Sequence, residues 1–251
     1  MNLLIIQARM GSSRLPGKVM KEISNTPLLQ MLMNRISKSK YVDDIVVATT
    51  HKSEDDLIAD YCKKKIISHY RGSDWDVLDR FYQTAISQER KPNNIIRICA
   101  DNPLLSYDVI DEVFNNYIKS EKDYFSNSNQ EPDYLEDGFD VEVFSFKVLE
   151  LAWKNAKLLS EREHVCPYIK KNFSCGWKKT NINYNYKLSV DTQNDFNLVS
   201  KIFDELAHIE DFSIEEVVQL ITNKPYLLNI NKESKINSGY LRSLKNDKKI
   251  G

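Results

Sequence analysis

The stretch that decides the fold is LLIIQARMGSSRLPGK, Leu3 to Lys18. Leu3, Leu4, Ile5 and Ile6 form a short unbroken apolar run, the pattern of a strand buried on both faces. Twelve residues rich in donors follow without a helical period. Two of the chain's seven glycines, Gly11 and Gly17, lie in this segment. Glycine lets the backbone approach a ligand closely and take φ > 0. Ser12, Ser13, Arg9, Arg14 and Lys18 offer hydroxyl, guanidinium and ammonium donors to several phosphate oxygens. Only nine of the 35 basic residues are Arg, and two of those nine fall here within six residues. A plain basic surface loop is the alternative; phosphate binding is the reading carried forward. The glycine spacing fits neither a Walker A loop nor the dinucleotide fingerprint. Val19 follows Lys18 where a Walker A loop has Ser or Thr, and Pro16 blocks an early helix.

Working outward, strands and helices alternate. Leu28, Leu29, Met31, Leu32 and Ile36 give the segment 27–38 a helical stripe. Asp44 to Thr49 (DIVVAT) reads as a second strand. Ser53 to Lys63 reads as a helix with Ser53 as N-cap, and Lys65 to Ile67 as a short strand. Val77 to Gln88 is helical, and Asn94 to Cys99 is a further strand. Such alternation implies a parallel sheet covered on both faces, with ligands bound beyond the carboxyl ends of the strands. That rule selects residues 7–18, 49–55 and 100–105. Past Asp123 the pattern loosens. Asn127 to Asp137 reads as a polar loop and Asp140 to Phe144 as a half-exposed strand. Phe146 to Leu159 and Arg162 to Lys171 read as helices, Leu188 to Val190 as a short strand, and Asp195 to Leu206 as a helix.

The 251 residues carry 35 Lys and Arg against 36 Asp and Glu, a net charge of −1. This balance argues against non-specific nucleic-acid binding, which needs a strong positive field. No apolar run reaches the 18 residues of a membrane span, and the opening run ends at Gln7, too soon for a signal peptide. A cytoplasmic protein with four reduced thiols is expected, since Cys62, Cys99, Cys166 and Cys175 contain no CxxC pair. The last twenty residues hold six cations against Glu233 and Asp247, which reads as a frayed, solvated tail.

IIQARMGSSRLPGKVM closely resembles the opening of the sugar-nucleotide cytidylyltransferases. That group includes the 3-deoxy-manno-octulosonate and acylneuraminate cytidylyltransferases and a spore-coat-polysaccharide-synthesis-like branch. The resemblance continues through DIVVATT (44–50), RGSDWDVLDRF (71–81), RICADNPLL (97–105), DGFDVEVF (137–144), EREHV (161–165), LSVDTQNDF (188–196) and NSGYLRSL (237–244). It implies an α/β, Rossmann-like nucleotide-diphospho-sugar-transferase fold with a mainly parallel central sheet. A single nucleotidyltransferase domain would span 1–230, with an insert about 123–187 for dimerisation or substrate, and a basic tail at 231–251. A homodimer and Mg²⁺-dependent transfer of CMP from CTP to a sugar or sugar-like acid, for surface-glycan synthesis, are likewise implied.

Transfer to an α-phosphate builds charge on phosphate oxygens, so positioning and electrostatics dominate it. Mg²⁺ in such sites is held by one or two carboxylates, phosphates and water. Asp101 follows the strand IIRIC, and Asp191 follows LSV ahead of Thr192, the expected cap of a helix. Each alone reads as a turn or cap residue; both match the metal-binding aspartates of the resembled family. By the same resemblance, Lys18 and Arg14 neutralise the triphosphate, Ala8 and Arg9 help read the base, and Gly11 and Ser12 belong to the nucleotide loop. Arg71 and Ser73 correspond to a second nucleotide-contacting stretch. The octulosonate members carry proline where Gln7 stands and GDEP where ADNP (100–103) stands, differences that bear on the acceptor and the metal geometry.

Three features keep alternatives open. Asp74-Trp75-Asp76 reads as a helix cap, a nucleotide contact, or the paired carboxylates of a glycosyltransferase acting on a ready-made sugar nucleotide. Arg162 and His164 either receive an anionic acceptor or belong to a helix start. Tyr184 and Tyr186 read as an edge strand before a sugar-stacking platform. His51, His69 and His208 read as structural or surface residues. A catalytically silent nucleotide-binding partner is the remaining reading.

Overall fold

The computed structural model describes residues 1–128, 137–179, 186–236, 238–245 and 247–250. The opening run forms β1 (Asn2–Gln7), and Leu3 to Ile6 are fully buried. A 3₁₀ turn at Lys18–Met20 ends the first loop. The small pair β2 (Glu22–Ile23) and β3 (Thr26–Pro27) leads into α1 (Leu28–Ile36). Then come β4 (Asp44–Thr50), α2 (Asp56–Lys65), β5 (His69–Gly72), α3 (Val77–Ile86), β6 (Asn94–Cys99) and α4 (Tyr107–Ser120). The sheet is completed by β7 (Tyr124–Ser126), β8 (Glu142–Ser145) and β9 (Cys175–Trp177). Between β8 and β9 lie α5 (Phe146–Asn155), α6 (Leu159–His164) and α7 (Pro167–Asn172). The chain closes with α8 (Gln193–Glu205), α9 (Ile214–Asn223) and α10 (Ser238–Lys245).

The seven-stranded sheet has the order β5-β4-β1-β6-β8-β7-β9. β5, β4, β1 and β6 run parallel, β8 is antiparallel to both β6 and β7, and β9 is parallel to β7. The Rossmann-like α/β expectation therefore holds. Side chains alternate across the sheet: Leu4 and Ile6 pack with α1, α4 and α8, while Leu3 and Ile5 pack with α3 and α5. β7, β8 and β9, from the segment expected as an insert, extend this same sheet.

Several local readings are corrected. Lys65 ends α2, Ile66 takes a left-handed conformation (φ 57°), and the strand begins later, at His69. Three lysines in the last turn suit a helix C-terminus, which outweighs the β-branched pair at 66–67. Ser53 opens a 3₁₀ turn and makes no side-chain cap. The strand in DVEVF is buried between two others and not half-exposed, because its acidic Glu142 is neutralised internally. Helix α5 stops at Asn155. The helix expected over 162–171 is broken by Val165 (φ 67°) and restarts at Pro167. Leu188 to Val190 lies outside the sheet, although the Val190 N–H donates to the Asp101 carbonyl at 2.8 Å. Helices α4, α9 and α10 and strands β7 and β9 had no counterpart in the sequence reading. The basic tail is not frayed throughout. Ser243 of α10 hydrogen-bonds His164 and Glu163 on α6, Tyr240 packs edge-on to His164, and Lys249 bridges to Leu158. Tyr184 lies outside the described residues, and the half-buried Tyr186 is in no strand.

Candidate active site

The carboxyl ends of β1 and β6 bring the first loop against the turns at 101–105 and 187–192. Gly17 permits this approach. It adopts φ 70°, which a side chain would strain, and its N–H donates to the Met10 carbonyl at 2.9 Å. Lys18 is thereby turned inward and is only 9 % exposed. Its Nζ donates to Asp101 Oδ2 at 2.6 Å, the Val190 carbonyl at 2.7 Å and Asp191 Oδ1 at 2.9 Å. Three sequence-predicted residues separated by up to 173 positions thus meet at one atom. Arg14 reaches Asp191 at 3.1 Å from the same loop, and Lys187 reaches its other oxygen at 3.1 Å.

Electrostatics follow from this crowding. Burial opposes the charge on Lys18, but Asp101 and Asp191 outweigh it and hold the ammonium above its ordinary value. Burial likewise opposes the Asp191 carboxylate, and Lys18, Lys187 and Arg14 overcome it, pulling its pKa far below the usual range. Asp191 is therefore an anion at any physiological pH.

Arg14, Asp101 and Asp191 line a cavity of about 350 Å³ together with Arg97, His164, Lys170 and Tyr240. The volume suits a small organic ligand. Asp137 and Asp140 form part of the wall. Gly138 sits between them at φ 92°, and a Cβ there would lie 2.7 Å from the Leu188 backbone. The turn is consequently pressed against the segment that carries Asp191. On β8, Glu142 pairs with Arg97, with Lys170 at 3.0 Å and with the Tyr124 hydroxyl at 2.6 Å. Burial works against the Glu142 charge, yet Lys170 and Arg97 draw its pKa well below the usual carboxylate range.

The remaining predicted residues separate into groups. Arg9 pairs with Asp74 at 3.4 Å, and Lys52 holds the same carboxylate at 2.7 Å beside the first loop. Ala8 is buried, with its N–H on the Ala48 carbonyl. The Ser12 hydroxyl accepts the Leu15 N–H, and Gly11 faces Glu54. Arg71 binds the Thr50 and Lys52 carbonyls, each at 2.8 Å, and Asp56 at 2.6 Å, so its guanidinium braces the loop after β4. The Ser73 hydroxyl accepts the Asp76 N–H at 3.1 Å. Of the two residues expected to receive an acceptor, His164 lines the cavity; burial lowers its pKa to about 4, so it is neutral near pH 7. Arg162 does not line it. Its Nε and Nη2 clasp Asp76 at 2.9 and 2.5 Å, tying α6 to the start of α3. Asp76 also caps α3 through the Asp79 N–H at 2.8 Å. The DWD triplet is thus a helix cap held by three ion pairs.

Arg97, Lys170, Lys187, Asp137 and Asp140 escaped the sequence reading. The acid-rich run DGFDVEVF was the one available signal, because three carboxylates in six residues leading into a strand need partners.

Similarity to known proteins agrees with this geometry. The family model for cytidylyltransferases matches residues 3–237. An uncharacterized protein of Methanocaldococcus jannaschii is 39 % identical over 240 residues, covering 90 % of this chain and 93 % of its own length. The spore coat polysaccharide biosynthesis protein SpsF of Bacillus subtilis is 30 % identical over 234 residues, covering 89 % and 95 %. A solved cytidylyltransferase from Leptospira borgpetersenii superposes with a TM-score of 0.83 at 27 % identity, over 94 % of this chain and 98 % of that one. A parallel sheet with a cationic loop at its carboxyl edge, two aspartates meeting one lysine, and a family match over nearly the whole chain lead to one assignment: this chain is a nucleotidyltransferase and belongs to the cytidylyltransferase family.

Proposed function

We propose that the protein transfers CMP from CTP to a sugar or sugar-like acid, releasing pyrophosphate, in the synthesis of a surface polysaccharide. The observation that carries this reading is the meeting of Lys18 with Asp101 and Asp191, both of which line the cavity with Arg14. Triphosphate oxygens need several cations at the sheet edge, and Arg14 and Lys18 supply them from one short loop. The base would lie toward Ala8 and Arg9. The acceptor would enter from the side of His164, Lys170 and Tyr240 and attack the α-phosphate, while pyrophosphate leaves along Arg14 and Lys18. The acidic acceptor and the glycan destination are carried over from the spore-coat relative and the octulosonate resemblance.

The donor set suits Mg²⁺. Asp101 and Asp191 are hard oxygen ligands aimed at one small volume, and among the described residues no larger cluster of acidic, His or Cys ligands competes with them. These two residues would hold the ion, with phosphate oxygens and water completing its shell. Bound there, Mg²⁺ supplies neutralisation of charge on the transferring phosphate.

Calorimetric titration with CTP, UTP, GTP and ATP, each with and without Mg²⁺, tests the reading. Wild type and Asp101→Asn are compared, followed by pyrophosphate release with a panel of ulosonic acids. Selective, Mg²⁺-enhanced binding of CTP that loses its Mg²⁺ enhancement in Asp101→Asn is expected. Equal affinity for all four triphosphates would overturn the base assignment, and a normal Mg²⁺ response in Asp101→Asn the metal assignment.

A further inference from the structure

Five carboxylates line the cavity, and four have a cation partner. Asp101 and Asp191 meet Lys18. Asp137 accepts the Leu188 and Ser189 N–H groups at 2.7 and 2.8 Å, with Lys187 at 3.8 Å. Glu142 is held by Arg97, Lys170 and Tyr124. Asp140 alone has no cation partner among the described residues. Its Oδ2 accepts only neutral donors, Asn102 Nδ2 at 3.2 Å and the Gly138 N–H at 3.2 Å, and its carboxyl also meets Ser128. Both anchors of its turn lead to the transfer site. Asn102 follows Asp101 directly, and the Leu188-Ser189 segment that grips Asp137 runs into Asp191. Asp140 is thus a fixed, uncompensated base on the wall of the cavity that also holds the two aspartates.

We propose that Asp140 accepts the proton of the acceptor hydroxyl during nucleotidyl transfer; this rests on the transfer reading above. As the acceptor oxygen bonds to the α-phosphorus, the bond from that phosphorus to the bridging oxygen breaks and its electron pair leaves with pyrophosphate. The hydroxyl proton passes to an Asp140 carboxylate oxygen and reaches solvent after product release, so no further reactant is required. Burial, then Asp137 and Glu142 as like charges, push the Asp140 pKa up to about 6, which leaves it ionised and usefully basic near neutrality. Cys99 of β6 shares this wall as a neutral thiol, and Arg97 and Lys170 face Glu142 instead.

The test uses the intact chain with CTP, Mg²⁺ and 3-deoxy-manno-octulosonate as probe acceptor, following pyrophosphate release from pH 4.5 to 8. In wild type, kcat should fall as pH drops through about 6. Asp140→Asn should lower kcat by about 10²–10⁴-fold, keep its CTP affinity, and lose the acid limb. Asp140→Glu should retain that limb at reduced kcat. A kcat for Asp140→Asn close to wild type, or an unchanged acid limb, would overturn the proposal. A second measurement needs no acceptor: the ¹³C carboxyl resonance that is missing from Asp140→Asn. Titration near 6 supports the proposal even where this acceptor is not turned over, a result that counts against the acceptor reading alone. Titration in the ordinary range near 4 overturns it.

Discussion

Replacing Lys18 with Ala removes one ammonium from between two carboxylates. Lys18 donates to Asp101 at 2.6 Å and Asp191 at 2.9 Å, with side-chain exposures of 11, 26 and 21 % for the three residues. Unit charges about 4 Å apart interact by roughly 4 kcal/mol at the effective dielectric of a protein. Dehydration of the ammonium and partial solvent screening take back much of that, while an orphaned buried charge is costly, so a net loss of about 2–4 kcal/mol is expected. In a chain of this size that lowers Tm by roughly 5–12 °C. Asp191 keeps Arg14 and Lys187, so Asp101 is the carboxylate left bare. Adding Asp101→Asn to Lys18→Ala should therefore recover part of the loss. The pH dependence has a definite sign. The raised Lys18 pKa stabilises the fold at neutral pH and loses that contribution only as pH rises through the folded value, above 10.5. The lowered Asp191 pKa contributes above the ordinary carboxylate range and loses its contribution as pH falls through the depressed value. The gap between wild type and Lys18→Ala should be full at pH 7 and narrow below about pH 4. Urea denaturation at pH 7 and pH 3.5 measures it. Calorimetry should show CTP affinity reduced by about 10–100-fold, the worth of one hydrogen bond to a charged group. A Tm within 2 °C of wild type, or a gap wider at pH 3.5 than at pH 7, would refute the reasoning.

Three other outcomes are expected. Gly138→Ala forces a side chain into a left-handed conformation with its Cβ 2.7 Å from the Leu188 backbone; a loss of about 1–3 kcal/mol should appear in urea denaturation, together with weakened turnover from the displaced Asp191 segment. Arg162→Ala leaves Asp76 buried without its cation, and thermal melts should show about 3–5 kcal/mol lost while calorimetry finds CTP affinity little changed, as suits a brace between α6 and α3. Tyr240→Ala removes one wall of the cavity and its edge-on contact with His164; steady-state kinetics should show the acceptor KM raised with the CTP KM unaltered.

Sequence alone determined the sheet's leading half and the cationic character of the loop after β1. The apolar runs at β1, β4 and β6 have no other means of satisfying their backbone and burying their side chains, and a ligand loop at a strand's carboxyl end follows from that architecture. Arg14, Lys18 and Asp101 follow such strand ends, in the loop after β1 and the turn after β6, whereas Asp191 was picked out by the family resemblance alone. Tertiary structure decided what these positions do to one another. Lys18 and Asp191 lie 173 residues apart, and no local pattern records that one ammonium closes on two acids. Nor could the sequence tell that Arg162 binds Asp76 across 86 positions instead of facing a ligand, or that Glu142 is neutralised by Arg97 and Lys170 and so permits an acidic residue inside a central strand. The basic tail shows the same limit, because α10 takes its place through partners on α6. Periodicity is a property of neighbours in the chain, whereas charge compensation is a property of neighbours in space. That difference left the leading strands readable in advance, and the pairing that separates Asp140 from four carboxylates with cation partners visible only in the folded molecule.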